Sequence, residues 1–196
     1  MFPNLLRQKL AGIVELSNSQ LQVLETHYRL LLRWNRVLNL TTVDSVAEAI
    51  ERHYAESLFL GVHLPPQALR IADIGSGAGF PGIPVAVLRP ESSVTLIEGH
   101  RRKSVFLREA TRGLSNIRVL AQRAENVNER FDCAISRAVS YDDLVPVLKK
   151  LAPSAGLLTG AETPPPSLGF RWEEPIPLPW GKNRCVRIGV SRETDR

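Results

Sequence analysis

The chain is poor in the residues that build covalent, redox and membrane-spanning chemistry. Its 196 residues include two cysteines, Cys133 and Cys185. Two lone thiols, behind an N-terminus without a basic, apolar and small-residue leader pattern, argue against a disulfide framework. They predict reduced thiols and a cytoplasmic location. No run approaches the ~18 apolar residues of a membrane-spanning helix. The four histidines, His27, His53, His63 and His100, show no ligand spacing with the cysteines. No metal site is therefore expected. Internal repeats and low-complexity tracts are also missing. With a hydrophobic content of 43%, the length suits one core and a small extension. The expected division is a helical extension over 1–66 and a core domain over 67–196, with a break at Pro65-Pro66.

Glycine, by contrast, is concentrated where it carries information. The segment Ile71–Pro84 reads as a buried strand, a glycine-rich turn and a helix start. A second apolar strand, Val94–Ile97, ends on the acid Glu98. Strand, glycine turn, helix, strand and acid form the pattern by which α/β proteins hold adenosine-containing cofactors. The spacing separates the candidates. In the dinucleotide fingerprint a third glycine follows the first by five residues; here that position is the bulky Phe80. The glycines are instead Gly75, Gly77 and Gly79, with Gly82 beyond, and this spacing points to S-adenosylmethionine. A Cβ-free turn lets backbone approach a ligand. Pro81 and Pro84 fit a first helical turn, whose free amides would favour the methionine carboxylate. Glu98, nineteen residues after Gly79, would accept from ribose hydroxyls. The alternative is a plain tight turn followed by a solvated strand end.

Charge adds a second theme. The net charge is +5, which permits a nucleic-acid partner. Residues 70–137 hold eleven basic and seven acidic groups, while 1–69 hold six of each and 138–196 eight and seven. Arg101, Arg102 and Lys103 follow Glu98 directly. Cations at a helix N-terminus oppose its dipole, so an outside anion such as RNA phosphate is the candidate partner, against a merely solvated helix start.

The periodicity gives helices first and alternation after. Leu21, Leu24, Tyr28, Leu31 and Leu32 share a face of a helix over 19–36, with Ser19 as its N-cap. A second helix spans 45–60, capped by Asp44 or Ser45. Strands are expected near 69–74, 93–98, 117–121, 131–136 and 155–159, with helices near 82–88, 100–113 and 140–151. This is an α/β chain with a parallel sheet covered on both faces. Gly75, Glu98, Arg123 and Arg137 then fall past strand ends, where ligands bind in such sheets. Thr163-Pro-Pro-Pro reads as a stiff loop, and Phe170–Glu173 with Val186–Val190 as the arms of an antiparallel hairpin.

Trp34-Asn-Arg-Val-Leu-Asn-Leu-Thr41, Arg52-His53 with Glu56-Ser57, Asp73–Pro84, Arg123-Ala-Glu125 and Ile135-Ser-Arg-Ala138 together resemble one family. It is the bacterial small-subunit rRNA guanine-N7 methyltransferase family (RsmG, also called GidB). The resemblance runs from about residue 20 to 160. It implies a class I, Rossmann-like methyltransferase fold with a central, mostly parallel sheet and an N-terminal helical extension. It also implies S-adenosylmethionine as donor and a guanine N7 of 16S rRNA, in the small ribosomal subunit, as acceptor. A monomer without membrane contact is expected. Carried over by position, cofactor contacts fall on Gly75, Phe80, Ala124, Glu125 and Arg137. Ala124 and Glu125 would flank the adenine, unless Glu125 only complements a helix dipole. Phe80 would cover the methionine arm or pack beneath the helix. Asp73 is expected to order the glycine turn. The chain departs from the family pattern at Glu56 (usually Asp), at Arg102-Lys103 (usually Lys-Arg) and at Thr159 (usually Lys). No catalytic lysine is therefore carried over.

Guanine N7 has a free lone pair, so methyl transfer needs positioning rather than a base. Cys133 lacks the preceding proline of pyrimidine-C5 methyltransferases. No Asn-Pro-Pro motif of exocyclic-amine methylation ends the fourth strand. Arg123 and Arg137 are the candidates on the acceptor side, orienting guanine or gripping phosphate. Their simpler alternative is ion pairing with Glu125 or Asp132. Two other functions stay open: a methyltransferase for a different acceptor, and a non-catalytic RNA-binding assembly module.

Overall fold

The computed structural model describes residues 1–160, 169–181 and 183–192, apart from the side chain of Val145. The loop expected at Thr163-Pro-Pro-Pro lies outside them. Strands β1 (Arg70–Ile74), β2 (Ser93–Ile97), β3 (Ile117–Leu120), β4 (Cys133–Arg137) and β5 (Ser154–Gly160) are joined by parallel pairing. Strands β6 (Phe170–Trp172), β7 (Ile176–Pro177) and β8 (Arg184–Ser191) complete an eight-stranded sheet. Its order is β3-β2-β1-β4-β5-β8-β6, with β7 on β8. β8 runs antiparallel to β5, and Phe170 pairs with Ser191 across the expected hairpin.

Alternation along each strand sorts side chains to two faces. Ile71, Val94, Leu96, Cys133 and Ile135 join one buried cluster with the N-terminal helices. Ala72, Ile74, Ile97, Ala134 and Ala155 join a second. The first is covered by α1 (Phe2–Lys9), α2 (Asn18–Leu38), α3 (Val46–Ala49), α4 (Glu56–His63), α5 (Gly82–Leu88) and α6 (Arg101–Ala110). The second is covered by α7 (Tyr141–Leu151).

Three local features differ from the sequence expectation. The cap of α2 is Ser17, not Ser19. The Ser17 hydroxyl accepts from the Gln20 backbone amide at 3.2 Å, and the Gln20 side-chain Oε1 accepts from the Ser17 backbone amide at 2.9 Å. That Ser-x-x-Gln spacing makes a reciprocal capping box; Ser19 has Gln22 at the same spacing but already lies inside the helix, which begins at Asn18. The second helix begins at Ser45, as one of the two expected caps. It then runs as α3, a π-helical turn over Ile50–Ala55, and α4. Helix α1 has no counterpart in the periodicity. It is held by Phe2, whose ring lies 5.1 Å from Tyr28 and 4.9 Å from Tyr54.

Strand order reverses between β1 and β4, so the crevice of this sheet opens above their carboxyl ends. The turns after β1, β2, β3 and β4 all emerge there.

Candidate functional site

The turn after β1 is built for glycine. Gly75, Gly77 and Gly79 have φ of 71°, 54° and 90°, a region costly for other residues. The glycine that lets helix and strand approach is Gly82: a Cβ there would lie 2.3 Å from Leu96 Cδ2 and 2.5 Å from Asp73 Oδ2. The expectation of free amides is corrected. Gly75 and Ser76 donate to the Ile97 carbonyl, Gly79 and Phe80 to that of Ser76, Gly77 to Glu98 and Gly82 to Asp73. Buried donors have to be paired within the protein, and the Gly82 and Ile83 amides that open α5 are taken by Asp73 and by the Gly79 carbonyl.

Asp73 orders this turn. Its Oδ2 accepts the Gly82 amide at 3.0 Å, and its carbonyl accepts the Ser76 hydroxyl at 3.0 Å. Its Oδ1 is buried with no partner among the described residues. Burial pushes the carboxyl up to about 7, against the opposing bonds from Ser76 and Gly82. A raised carboxyl stabilises the fold below its unfolded value and loses that contribution as pH rises through about 7. Buried His27 and His53, lowered to about 4 and about 3, act oppositely and cost stability as pH falls below 6.5. The variant Asp73→Asn isolates the first effect. It is expected to gain on wild type by about 2–3 kcal/mol between pH 5 and pH 8 in urea unfolding.

Glu98 is not a solvated strand end. It is 8% exposed, and its two oxygens are held apart by backbone donors: Gly77 N at 2.9 Å and His100 N at 2.7 Å. Each carboxylate oxygen keeps a second lone pair, which suits a pair of vicinal hydroxyls. The turn after β3 lies alongside, since a Cβ on Gly99 would meet Arg123 Cγ at 3.1 Å. There Ala124–Asn126 form a single 3₁₀ turn with Ala124 half-buried and Glu125 exposed in its first turn. The Glu125 carbonyl accepts from Lys150 at 2.8 Å.

The ion-pair alternative for the arginines is corrected. Asp132 caps β1, accepting from the Leu69 and Arg70 amides at 3.0 and 2.7 Å. Arg123 is exposed and makes no salt bridge among the described residues. Arg137 turns to the N-terminal helices. It donates to the Arg52 carbonyl and, at 2.7 Å, to His53 Nδ1, and it lies 3.9 Å from Glu56. Glu56, 1% exposed in its side chain, also pairs with Arg184 at 2.7 Å. Burial raises the Glu56 carboxyl, and the Arg184 charge opposes that rise. Burial lowers Arg137 to about 10, with Glu56 pulling the other way. Phe80 is buried beneath this group, its ring 4.7 Å from that of His53 and 5.8 Å from the Arg137 guanidinium. Of its two expected roles, packing is therefore the visible one. Next along the chain, Ala138 has φ of 57°, a strained conformation for a side-chain-bearing residue. Val139 then sits over Gly75, 2.9 Å from where its Cβ would be.

Beyond β4 and β5 lies a cavity of about 320 Å³ whose lining includes Arg137, Ser140, Tyr141, Thr159 and Gly160. The Thr159 hydroxyl is turned back to the Gly160 carbonyl at 2.9 Å. Arg101 and Arg102 are exposed and Lys103 half-buried at the start of α6, with no salt bridge among the described residues. Their helix is capped by His100, whose ring accepts the Lys103 amide at 3.4 Å. Sequence reasoning missed His53, Thr41 and Arg184 as members of the site. The first two stood in the quoted motifs, but nothing in their spacing pointed toward β4.

Comparison with known proteins agrees with this layout. The family model described as GidB, rRNA small subunit methyltransferase G, matches residues 20–159. A protein of that name from Halorhodospira halophila is 41% identical over 150 residues, covering 74% of this chain and 71% of the relative. Another, from Dichelobacter nodosus, is 47% identical over 119 residues, covering 58% of this chain and 56% of the relative. The matched region thus spans little more than half the length of that second relative. Among solved structures, a SAM-dependent methyltransferase from Aquifex aeolicus superposes with a TM-score of 0.57 at 15% identity, covering 78% of this chain and 96% of that one. The sheet order, the glycine turn and the extended family match converge: this chain belongs to the GidB family of rRNA small subunit methyltransferase G and has the class I methyltransferase fold.

Proposed function

We propose that the chain transfers the methyl group of S-adenosylmethionine to N7 of a guanine in 16S rRNA of the small ribosomal subunit. The observation that carries this reading is the Glu98 carboxylate, locked by the Gly77 and His100 amides at the lip of a Cβ-free turn. In this arrangement Glu98 takes the ribose hydroxyls. Gly75, Gly77 and Gly79 leave room for the donor's chain, and Ala124 with Glu125 borders the adenine. Bound S-adenosylmethionine supplies a sulfonium methyl; N7 forms the new N–C bond as the C–S bond breaks and sulfur keeps the pair. N7 carries no proton, so no residue has to act as a base. The work of the chain is alignment, a contribution of roughly 7–11 kcal/mol when both reactants are held in line.

Arg137 and Arg123 flank the acceptor side. Both are assigned orienting and phosphate-gripping roles, because methylated guanine is itself cationic and a guanidinium facing N7 would oppose the product. The cavity past β4 and β5 is the place for the base. Phe80 serves by supporting Arg137 from below. Residues 1–66 act as an extension that braces this arginine, and 67–196 as the core that holds the donor. Arg101, Arg102 and Lys103 meet RNA phosphates beside the crevice.

That last assignment has a measurable consequence. Changing all three to alanine is expected to reduce the salt dependence of RNA binding by about two in slope, near 0.7 per lost phosphate contact. Affinity for S-adenosylmethionine should stay the same, and the two titrations together check the assignment. The reaction itself is tested by borohydride–aniline cleavage of 16S rRNA after incubation with small subunits or with deproteinised RNA. A cleavage at one guanine that depends on chain and donor supports the reading. Methyl transfer to free nucleotides alone, or RNA binding without turnover, would replace it with one of the two other functions.

A further inference from the structure

Three side chains, those of Asn35, Thr41 and His53, form a directed hydrogen-bond relay that ends on Arg137. Asn35, near the end of α2, accepts the Leu40 and Thr41 amides at 2.7 and 2.9 Å and donates to the Thr41 carbonyl at 2.9 Å. This fold-back presents the Thr41 hydroxyl to His53 Nε2 at 2.7 Å. The other ring nitrogen, Nδ1, faces Arg137 Nη2 at 2.7 Å. A guanidinium only donates, so Nδ1 must accept and the proton sits on Nε2, directed at Thr41. Burial and then the Arg137 charge lower His53 to about 3, which keeps the ring neutral and Nδ1 able to accept. The π-turn carries His53 and delivers Glu56 just after it, so the arginine is held from both sides.

We propose that His53 is a positioning residue for Arg137, and that Thr41 and Asn35 hold its ring in the orientation this requires. The inference rests on the role given to Arg137 above and adds its regulation by the fold of the α2 end. Removing the Thr41 hydroxyl releases the Nε2 proton from its acceptor. The guanidinium still keeps the proton off Nδ1, but the ring loses its second anchor and can turn, which takes the Nδ1 acceptor away from Arg137.

The test is a double-mutant cycle on the full chain with 16S rRNA as acceptor. Thr41→Val is near-isosteric and is expected to lower kcat by about three- to tenfold, the worth of one neutral hydrogen bond. The Kd for S-adenosylmethionine, read by calorimetry, should stay within about twofold, because the donor pocket is untouched. His53→Ala should fall at least as far, and His53→Asn, which restores an acceptor near Nδ1, should recover part of the loss. In an Arg137→Ala background neither Thr41→Val nor His53→Ala should lower kcat further. Losses that multiply with Arg137→Ala, or an unchanged kcat in Thr41→Val, would overturn the proposal. Imidazole ¹⁵N shifts read the tautomer without turnover: Nε2–H in wild type agrees, whereas Nδ1–H or imidazolium at pH 7 contradicts. A wild type that shows the Nε2–H tautomer but methylates no RNA counts against the proposed function and not against the relay.

Discussion

Replacing Glu98 by alanine is expected to weaken S-adenosylmethionine binding by about a hundredfold or more and to remove methyl transfer at ordinary donor concentrations. The size follows from the geometry. Two vicinal hydroxyls meeting two fixed carboxylate oxygens make two charge-assisted hydrogen bonds, each worth about 1.5–3 kcal/mol. The alanine variant also frees the Gly77 and His100 amides that Glu98 now satisfies, so the turn loses the contact that shapes it. Glu98→Gln separates the two losses. Its carbonyl can still accept the Gly77 amide, but its NH₂ would face the His100 donor and its charge is gone. An intermediate affinity is expected. Calorimetric titration of the three proteins checks the order, and equal affinities would remove Glu98 from the pocket.

The largest effect on stability is expected from Gly82→Ala. The added carbon would enter a space already filled by Leu96 and Asp73, at 2.3 and 2.5 Å. Asp73 cannot retreat without giving up the bond its Oδ2 accepts from the Gly82 amide. Overpacking at a closed site costs about 1–3 kcal/mol, and loss of the buried bond adds about 1–3 more. A loss of about 3 kcal/mol corresponds to roughly 6–12 °C in Tm for a chain of this length. Gly113→Ala is the control. Unlike helical Gly82, it has a left-handed φ of 90°, and nothing lies within 4 Å of the new carbon, so only the conformational cost of about 1–2 kcal/mol applies. A loss in Gly82→Ala no larger than that in Gly113→Ala would show that steric closure at Gly82 contributes little.

The strands and helices past residue 66 were legible because their signals are local. Buried five-residue strands, glycine at the turn and an acid at the strand end all act within one βα unit. The glycine spacing, the position of Glu98 and the ordering role of Asp73 could thus be read directly. What could not be read depends on partners far away in the chain. Arg137 meets His53 across 84 residues and Arg184 meets Glu56 across 128, separations at which no periodicity carries information. The amides of the glycine turn looked available because a sequence shows donors and not which acceptor takes them. The π-turn was hidden for a related reason: Ile50–Ala55 has ordinary helical composition, and the rings that its Tyr54 and His53 meet, Phe2 and Phe80, lie elsewhere in the chain. Phe80 itself was expected over the donor's methionine arm, under the helix, or both, and its stack against His53 shows the packing role.

Calorimetric titration of the chain with S-adenosylmethionine, with NAD as the comparison ligand, tests the central claim most directly. The account predicts one site for the methyl donor and no detectable heat with NAD, since Phe80 and the closed amides leave no place for a pyrophosphate. Binding of NAD without binding of the methyl donor would contradict it, and would return the glycine turn to the dinucleotide class.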